Sequence, residues 1–228
     1  MKTFIFDFDG TLTYNSPSVW KSLWLELGFT TEKDSCYTIF YEKYLNKELN
    51  YQEWCDLVCE SYQNKNMRRE IINVVSQKIK LIKGLTHTIK VLKENGYSLH
   101  IVSGGIVEII ENVLGDNVQF FDSINANKII FDDEGKLFKI DGTQYDFAGK
   151  AKFVEEYMKR TNTSPEEIVF LGNSDNDEWV YTTGCKTICI NPENTDYTNK
   201  TIWNESLPNT DCLGKLLPIL KLEPFNCI

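Results

Sequence analysis

The sequence lacks long apolar runs: no stretch approaches the ~18–20 consecutive apolar residues that span a bilayer. Its N-terminus reaches the acidic residue Asp7 without the apolar stretch and small-residue cleavage site of a signal peptide. Clustered basic residues are absent as well, and 24 Lys and Arg against 33 Asp and Glu give a formal net charge of -9. Such a surface repels the phosphates of nucleic acid. We therefore expect a cytoplasmic protein that binds neither a membrane nor nucleic acid.

Paired cysteine motifs are also missing. The 7 cysteines are odd in number and include no CxxC pair, so the pattern indicates neither a disulfide framework nor a zinc ribbon. Cys55 and Cys59 would share one helix face, but both histidines lie elsewhere in the sequence. Buried small apolar residues are therefore the better interpretation of this pair.

The composition is that of an ordinary globular protein, with 42% apolar and 25% charged residues in 228. Short β-branched apolar runs predict buried parallel strands at Thr3–Phe6, Ser98–Val102, Ile168–Leu171 and Thr187–Ile190. Amphipathic stretches between them predict helices at Leu85–Glu94, Ile106–Leu114 and Ala148–Lys159. This alternation indicates a doubly wound α/β sheet. Lys128–Phe131 and Leu137–Ile140 flank a turn and predict a β-hairpin.

One region departs from the alternation. Residues 14–82 are helical in pattern, rich in large aromatic side chains, and interrupt the sheet directly after its first strand. An insert of this size can build its own small core, so we predict a helical cap domain at 14–82. Residues 1–13 and 83–228 would then form the α/β core.

Two carboxylates follow the first strand, in the stretch FIFDFDGTLT. Because strand side chains alternate with period two, Asp7 and Asp9 leave the strand end on the same side, where open α/β sheets bind ligands. Two like charges this close push their pKa values apart. With a bound cation, one serves as a nucleophilic carboxylate while the other carries a proton. Gly10 allows a sharp turn and Thr11 can hydrogen-bond within it; a plain turn at a strand end is the alternative.

Three further segments carry chemistry at predicted strand or helix ends. Ser103-Gly104-Gly105, between a strand and a helix, offers a hydroxyl and backbone N–H groups to an anion. Lys150 opens a helix and can reach phosphate oxygens. Residues 171–177, LGNSDND, present oxygen-bearing side chains that suit Mg²⁺. A tight turn, a solvated lysine and a polar loop are the respective alternatives for each segment taken alone.

The four segments in this order resemble the motifs of the haloacid-dehalogenase-like hydrolases, through DFDGTLT, the serine of VSGG, the lysine of GKAK and the GNSDND loop. The resemblance covers nearly all of residues 1–190 and implies a Rossmann-like core. The helical insert resembles the C1-type cap of the phosphoserine-phosphatase-like branch. Asp9 favours phosphomonoester hydrolysis, because other branches of the superfamily either lack a second acid at this position or have threonine or alanine there.

The resemblance also implies roles for individual residues. Asp7 would attack phosphorus to form an aspartyl-phosphate, and Asp9 would protonate the leaving oxygen and then deprotonate water. Mg²⁺ would be held by Asp7, by Asp9 through its carbonyl and by the last motif, through Asn173 and Asp177. The phosphoryl group would be bound by six residues, namely Gly10, Thr11, Ser103, Gly104, Lys150 and Asn176.

Departures from the family pattern leave alternatives. Asn173 stands where this branch has aspartate, so Mg²⁺ would bind less tightly and the chain could be a weakened phospho-ligand-binding or regulatory protein. Ser16 falls near the position where this branch has a glutamate that binds the ammonium group of phosphoserine. Val58 falls near the position of the arginine that binds its carboxylate. Phosphoserine phosphatase proper is therefore the less favoured alternative to hydrolysis of another small phosphorylated metabolite. The sequence is compatible with a monomer or a homodimer.

Overall fold

The computed structural model describes residues 2–193 and 202–224. Its sheet has seven strands in the order β4-β3-β2-β1-β5-β6-β7. The strands are β1 (Thr3–Phe6), β2 (Ser98–Ile106), β3 (Ser123–Phe131), β4 (Leu137–Asp141), β5 (Ile168–Gly172), β6 (Lys186–Ile190) and β7 (Glu205–Leu207). The α-helices are α1 (Val19–Glu26), α2 (Cys36–Leu45), α3 (Tyr51–Asn64), α4 (Glu70–Ser76), α5 (Leu85–Glu94), α6 (Val107–Leu114), α7 (Ala148–Thr161) and α8 (Leu216–Ile219).

The predicted doubly wound α/β fold is confirmed. Neighbouring strands are parallel throughout except for β3 and β4, which are antiparallel. In β1, Phe4 and Phe6 belong to the apolar cluster on one face of the sheet, and Ile5 belongs to the cluster on the other. Helix α7 covers the Ile5 face with Phe153 and Val154. This alternation explains why the short run TFIF is apolar at every position: the strand is buried on both faces.

The predicted hairpin is present but is part of the main sheet. Strand β3 starts at Ser123, five residues before the predicted Lys128, and its first half pairs in parallel with β2. The apolar pattern missed this half because Asn125 and Asn127 interrupt it. Asn127 is nevertheless fully buried, because its amide serves the site described below.

The insert is helical, as predicted, and contains α1 to α4. The two ends of the insert lie side by side, because Thr13 and Leu81 form an antiparallel bridge. The expected separate small core is not found, because Trp24 and Tyr62 of the insert belong to the same apolar cluster as Phe4 of the sheet. The division into domains at these boundaries therefore stays a prediction.

Two expectations about absent features can be compared with the described residues. Among their helices, none is both long and apolar enough to cross a bilayer. Cys55 and Cys59 are buried free thiols, in line with the apolar interpretation of this pair. Cys212, however, is disulfide-bonded, which the odd number and irregular spacing of the cysteines did not predict.

Candidate active site

The carboxyl ends of the central parallel strands form one edge of a pocket. Asp7 directly follows β1, and its N–H donates to the carbonyl of Leu171 in β5 at 2.8 Å. A cavity of about 420 Å³ lies here, with helices α1 to α3 contributing its opposite wall. Seven residues predicted from the sequence line it, namely Asp7, Asp9, Gly10, Ser103, Gly104, Asn173 and Asn176. Parallel strands bring their carboxyl ends to one edge, so segments distant in sequence meet there.

Asp7, Lys150 and Asp177 form a buried charge cluster. The Lys150 Nζ donates to Asp7 Oδ1 at 2.9 Å and to Asp177 Oδ1 at 2.6 Å, and Lys150 has no exposed surface. Burial acts to lower the pKa of Lys150, but Asp177 and Asp7 outweigh it and hold the pKa above its ordinary value. Burial raises the pKa of Asp7 to about 7 against the lowering effect of Lys150. Lys150 thus orients the Asp7 carboxylate from behind the pocket wall and favours its ionised form, against the effect of burial.

Asp9 is positioned by the insert. Both of its carboxylate oxygens accept from the backbone N–H of Val19, at 3.1 and 3.0 Å, where α1 begins. Burial, followed by repulsion from Asp7, raises the pKa of Asp9 to about 7, while the Val19 hydrogen bond opposes this shift. A carboxyl group with this pKa can both donate and accept a proton near neutral pH.

The raised pKa of Asp9 predicts a pH-dependent cost in stability. In metal-free protein, the folded-state pKa of about 7 exceeds the ordinary value of 3.8. The folded state therefore binds more protons than the unfolded state between about pH 4 and 7, so the contribution of Asp9 to stability falls as pH rises through this window. We expect Asp9→Asn to match the wild type at pH 4 and to be more stable by roughly 1–3 kcal/mol at pH 8.

Urea unfolding with EDTA at both pH values measures this difference. Asp116→Asn, which neutralises an exposed carboxylate outside the pocket, is the control. A stability difference between Asp9→Asn and wild type that is the same at pH 4 and pH 8 would contradict the assignment.

The turn after Asp9 requires glycine for two reasons. Gly10 has φ +72°, and a Cβ there would overlap the amide of Asn173. Its N–H donates to Thr13 Oγ1 at 2.9 Å. The Thr11 hydroxyl is buried, does not line the pocket and has no hydrogen-bond partner among the described residues, so its part in binding the phosphoryl group stays a prediction. The turn is closed by Thr13 instead, because the chain folds back over Phe8.

Gly10→Ala should therefore cost more than an alanine at another positive-φ glycine. Gly28 has φ +75° and open space around its Cβ position, which makes Gly28→Ala the matched control. We expect about 1 kcal/mol of destabilisation for Gly28→Ala from backbone strain alone. Gly10→Ala should lose at least twice that, because it also displaces Asn173. Equal unfolding free energies for the two variants would show that Asn173 is free to move.

The glycine-rich segment belongs to the strand and lies directly before a helix. Strand β2 continues through Ser103, Gly104 and Gly105 to Ile106, four residues beyond its predicted end, and α6 begins at Val107, one residue after its predicted start. The pairing register with β3 shifts between Val102 and Ile106. Ser103 Oγ accepts from the N–H of Gly105 at 3.1 Å, which orients the hydroxyl toward the pocket it lines.

The last motif divides its side chains between two tasks. Asp177 is not in the pocket wall, because Oδ1 pairs with Lys150 and Oδ2 accepts from the N–H groups of Asn173 and Ser174, at 2.8 and 3.2 Å. Its predicted role as a metal ligand is therefore not retained. Asn173 lines the pocket, and its Oδ1 is buried with no hydrogen-bond partner among the described residues. The Asn176 amide donates to Asp146 at 3.1 Å and accepts from Ser174 Oγ at 2.7 Å.

This donor set fits Mg²⁺, which prefers oxygen ligands at short distance. The orphaned Oδ1 of Asn173 lies in the same pocket as Asp7 and Asp9. Within the described part of the chain, no three His, Cys, Asp or Glu side chains form a metal cluster. A cation here would therefore depend on fewer than three such side chains, supplemented by amide and backbone oxygens.

The sequence analysis did not indicate three residues of the site: Trp20 and Asp146 line the pocket, and Asn127 contacts the pocket-lining Gly104 and Gly105 from the buried side. Asn127 donates to the carbonyls of Gly104 and Gly105 at 2.7 and 2.9 Å, and Trp20 Nε1 donates to the Gly104 carbonyl at 2.6 Å. Asp146 accepts from the Tyr51 hydroxyl at 3.2 Å. These partners lie 22 to 95 residues apart in the sequence, so no local pattern could have indicated them.

Comparison with known proteins adds to this geometry. A family model described as haloacid dehalogenase-like hydrolase matches residues 1–179. The chain belongs to this family. The resemblance inferred from the four motifs is thereby confirmed.

Relatives within the family carry a common name. Phosphoserine phosphatase of Methanocaldococcus jannaschii is 27% identical over 179 residues, 77% of this chain and 79% of the relative. Phosphoserine phosphatase of Archaeoglobus fulgidus is 29% identical over 116 residues, 50% of this chain and only 32% of the relative's own length. A solved structure named "Phospho-Aspartyl Intermediate Analogue of Phosphoserine phosphatase" has a TM-score of 0.70 at 24% identity, covering 97% of this chain and 99% of that one, which shows a shared fold.

Proposed function

We propose that this protein is a Mg²⁺-dependent phosphomonoesterase that works through an aspartyl-phosphate on Asp7. The observation that carries the proposal is the pairing of two carboxylates with different tasks. Asp7 is buried, held by Lys150 at 2.9 Å, while Asp9 lies beside it on the pocket wall, held by Val19 of the insert. One is set up as a nucleophile and the other as a proton carrier.

The proposed reaction has two steps. An oxygen of Asp7 attacks phosphorus and the bond from phosphorus to the leaving oxygen breaks, while protonated Asp9 gives its proton to that oxygen. Asp9, now a carboxylate, takes a proton from water as the water oxygen attacks phosphorus. The Asp7–phosphorus bond breaks, which releases phosphate and restores the Asp7 carboxylate.

The remaining residues bind and orient. The Ser103 hydroxyl, already oriented by Gly105, can donate to a phosphoryl oxygen. Mg²⁺ would be held by Asp7, the Asp9 carbonyl and Asn173 Oδ1, and would supply charge neutralisation for the phosphoryl group. Asn127 and Trp20 hold the Gly104 carbonyl and so keep the serine strand in place.

Hydrolysis of p-nitrophenyl phosphate by the purified protein, with Mg²⁺ and with EDTA, tests the proposal. We expect Mg²⁺-dependent release of phosphate. The alternative, a weakened phospho-ligand-binding protein, is motivated by Asn173 and predicts binding of phosphate esters without release. Absence of turnover at saturating Mg²⁺ would favour that alternative.

Asn173 offers a direct test of the metal site. Asn173→Asp adds a charged oxygen at a position that lines the pocket, so the Mg²⁺ concentration for half-maximal activity should fall about tenfold. Asn73→Asp adds the same charge at an exposed position of α4, outside the pocket, and should leave that midpoint unchanged. The midpoint is measured for wild type and both variants by titrating activity against Mg²⁺. An unchanged midpoint in Asn173→Asp would remove Asn173 from the proposed ligand set.

Phosphoserine hydrolysis is a second candidate, favoured by the names of the relatives. The chain spans 32% of the first of these relatives and 79% of the other. Their substrate is therefore a hypothesis for this protein, and the lining of the pocket bears on it directly.

A further inference from the structure

The wall of the pocket opposite Asp7 is aromatic. The rings come from α1, α2, α3 and the residue before α7, and comprise Trp20, Tyr37, Tyr41, Tyr44, Trp54 and Phe147. All of these rings except Tyr37 form a continuous cluster. The ring centroids of Trp20 and Trp54 are 4.9 Å apart, those of Trp54 and Tyr44 are 6.5 Å apart, and those of Tyr44 and Phe147 are 5.1 Å apart. Tyr44 is half-buried and Tyr41 is exposed, so this wall borders solvent-accessible space as well as packing internally.

The same space is surrounded by negative charge. Beyond the two carboxylates proposed for catalysis, the carboxylates of Asp146, Asp175 and Glu193 line the pocket. Among the described residues, no lysine, arginine or histidine lines it. Lys150, the cation nearest to Asp7, has no exposed surface and is paired with two carboxylates.

The nearby carboxylates also affect the pKa values of the tyrosines in the wall. Burial, and then repulsion from Asp146, raises the pKa of Tyr44 to about 12. The pKa of Tyr41 is raised for the same two reasons. Both hydroxyls therefore stay neutral, and a further negative charge placed beside these rings would be disfavoured.

Phe147 is kept in this wall at a conformational cost. Its φ of 49° and ψ of -124° lie in a region that bulky side chains rarely adopt. The backbone N–H donates to Asp146 at 2.9 Å, and the ring contacts Tyr44 and Tyr41. A glycine would relieve the strain, so the ring itself is what this position supplies.

We propose that the phosphate ester cleaved here has a leaving alcohol that carries an ammonium group and no carboxylate. This rests on the proposed phosphomonoesterase function and names its substrate class. The faces of aromatic rings attract cations, and desolvated rings recognise alkylammonium groups. A carboxylate on the same alcohol would meet the carboxylates of Asp146 and Glu193, and the described residues of the wall supply no cation to pair with it. Phosphoserine has both groups, whereas this pocket complements only the ammonium.

Four esters test the proposal on the wild-type protein. Phosphoethanolamine and phosphoserine differ by one carboxylate; phosphocholine and 3,3-dimethylbutyl phosphate have the same shape and differ by one positive charge. We expect kcat/KM for the better cationic ester to exceed that for phosphoserine and for the neutral ester by at least tenfold. A preference for phosphoethanolamine or for phosphocholine supports the proposal equally and identifies a primary or a quaternary ammonium.

The failures are distinguishable. Equal or faster hydrolysis of phosphoserine would overturn the substrate class while leaving the proposed function intact. Equal rates for phosphocholine and its neutral analogue, with phosphoethanolamine no better, would do the same. If p-nitrophenyl phosphate itself is not hydrolysed, the proposed function fails first.

Variants connect the preference to the wall. In Tyr44→Leu the ratio of kcat/KM for the preferred cationic ester to that for the neutral ester should fall at least fivefold, whereas Tyr44→Phe should retain the ratio because the ring face is kept. Phe147→Gly should lower the same ratio, because it removes the ring. A ratio unchanged in both Tyr44→Leu and Phe147→Gly would overturn the assignment of the cation to this wall.

Discussion

Replacing Asp7 with Asn should abolish phosphate release, with a loss of at least about 10³-fold expected for removal of a covalent nucleophile. The amide is a poor nucleophile and a weaker ligand for Mg²⁺. The fold should survive, because the variant leaves Lys150 paired with Asp177 at 2.6 Å. In the wild type, the buried carboxylates of Asp7 and Asp177 share the single ammonium group of Lys150. The variant leaves one carboxylate paired with one ammonium group, so we expect no loss of stability.

Phosphate release and urea unfolding, measured on the same preparation, separate these effects. Asp116→Asn, an exposed change outside the pocket, should keep full activity. Hydrolysis by Asp7→Asn within tenfold of wild type would exclude the aspartyl-phosphate mechanism. A variant that is both inactive and unfolded would instead show that Asp7 is needed for the charge cluster.

Lys150→Met should cause the largest loss of stability. It leaves Asp7 and the fully buried side chain of Asp177 facing each other without a cation. Breaking a buried ion pair by removing one partner typically costs about 3–5 kcal/mol. Because Lys150 lowers the pKa of Asp7, its removal should raise that pKa further and reduce activity at neutral pH.

The stability loss in Lys150→Met should depend on pH. A carboxyl group with a raised folded-state pKa destabilises the fold progressively as pH rises. Lys150→Met should therefore lose less stability at pH 5 than at pH 8. Lys152→Met, two residues along α7, removes an exposed lysine whose nearest carboxylate is 3.8 Å away and should change stability by less than about 0.5 kcal/mol. Similar losses in the two variants would contradict the role of burial.

Much of the site was predictable because it depends on local geometry. Strand alternation places Asp7 and Asp9 on the same side, and parallel pairing brings Ser103 and Asn173 to the same sheet edge. The motif order alone therefore indicated the fold, the pocket edge and most of its polar residues. The helical nature of the insert followed in the same way, from the periodicity of its apolar residues.

What failed depended on partners distant in the chain. Asp177 has the composition of a metal ligand, but packing turns both its oxygens toward Lys150 and the backbone. The aromatic wall could equally have been internal packing of the insert. Only the packing of α3 against β4, and of α2 against α3, brings Tyr44 and Trp54 over the pocket.

The sequence by itself indicated the central parallel strands, the two carboxylates proposed for catalysis and the family. Each depends on backbone periodicity or on spacing within a short segment. The tertiary structure decided which polar groups face the pocket, that the insert shares its apolar interior with the sheet, and that Asp146 lies beside Tyr51, 95 residues away. The reason is physical: side-chain direction along a strand repeats every two residues, whereas contacts between distant segments depend on how whole helices pack.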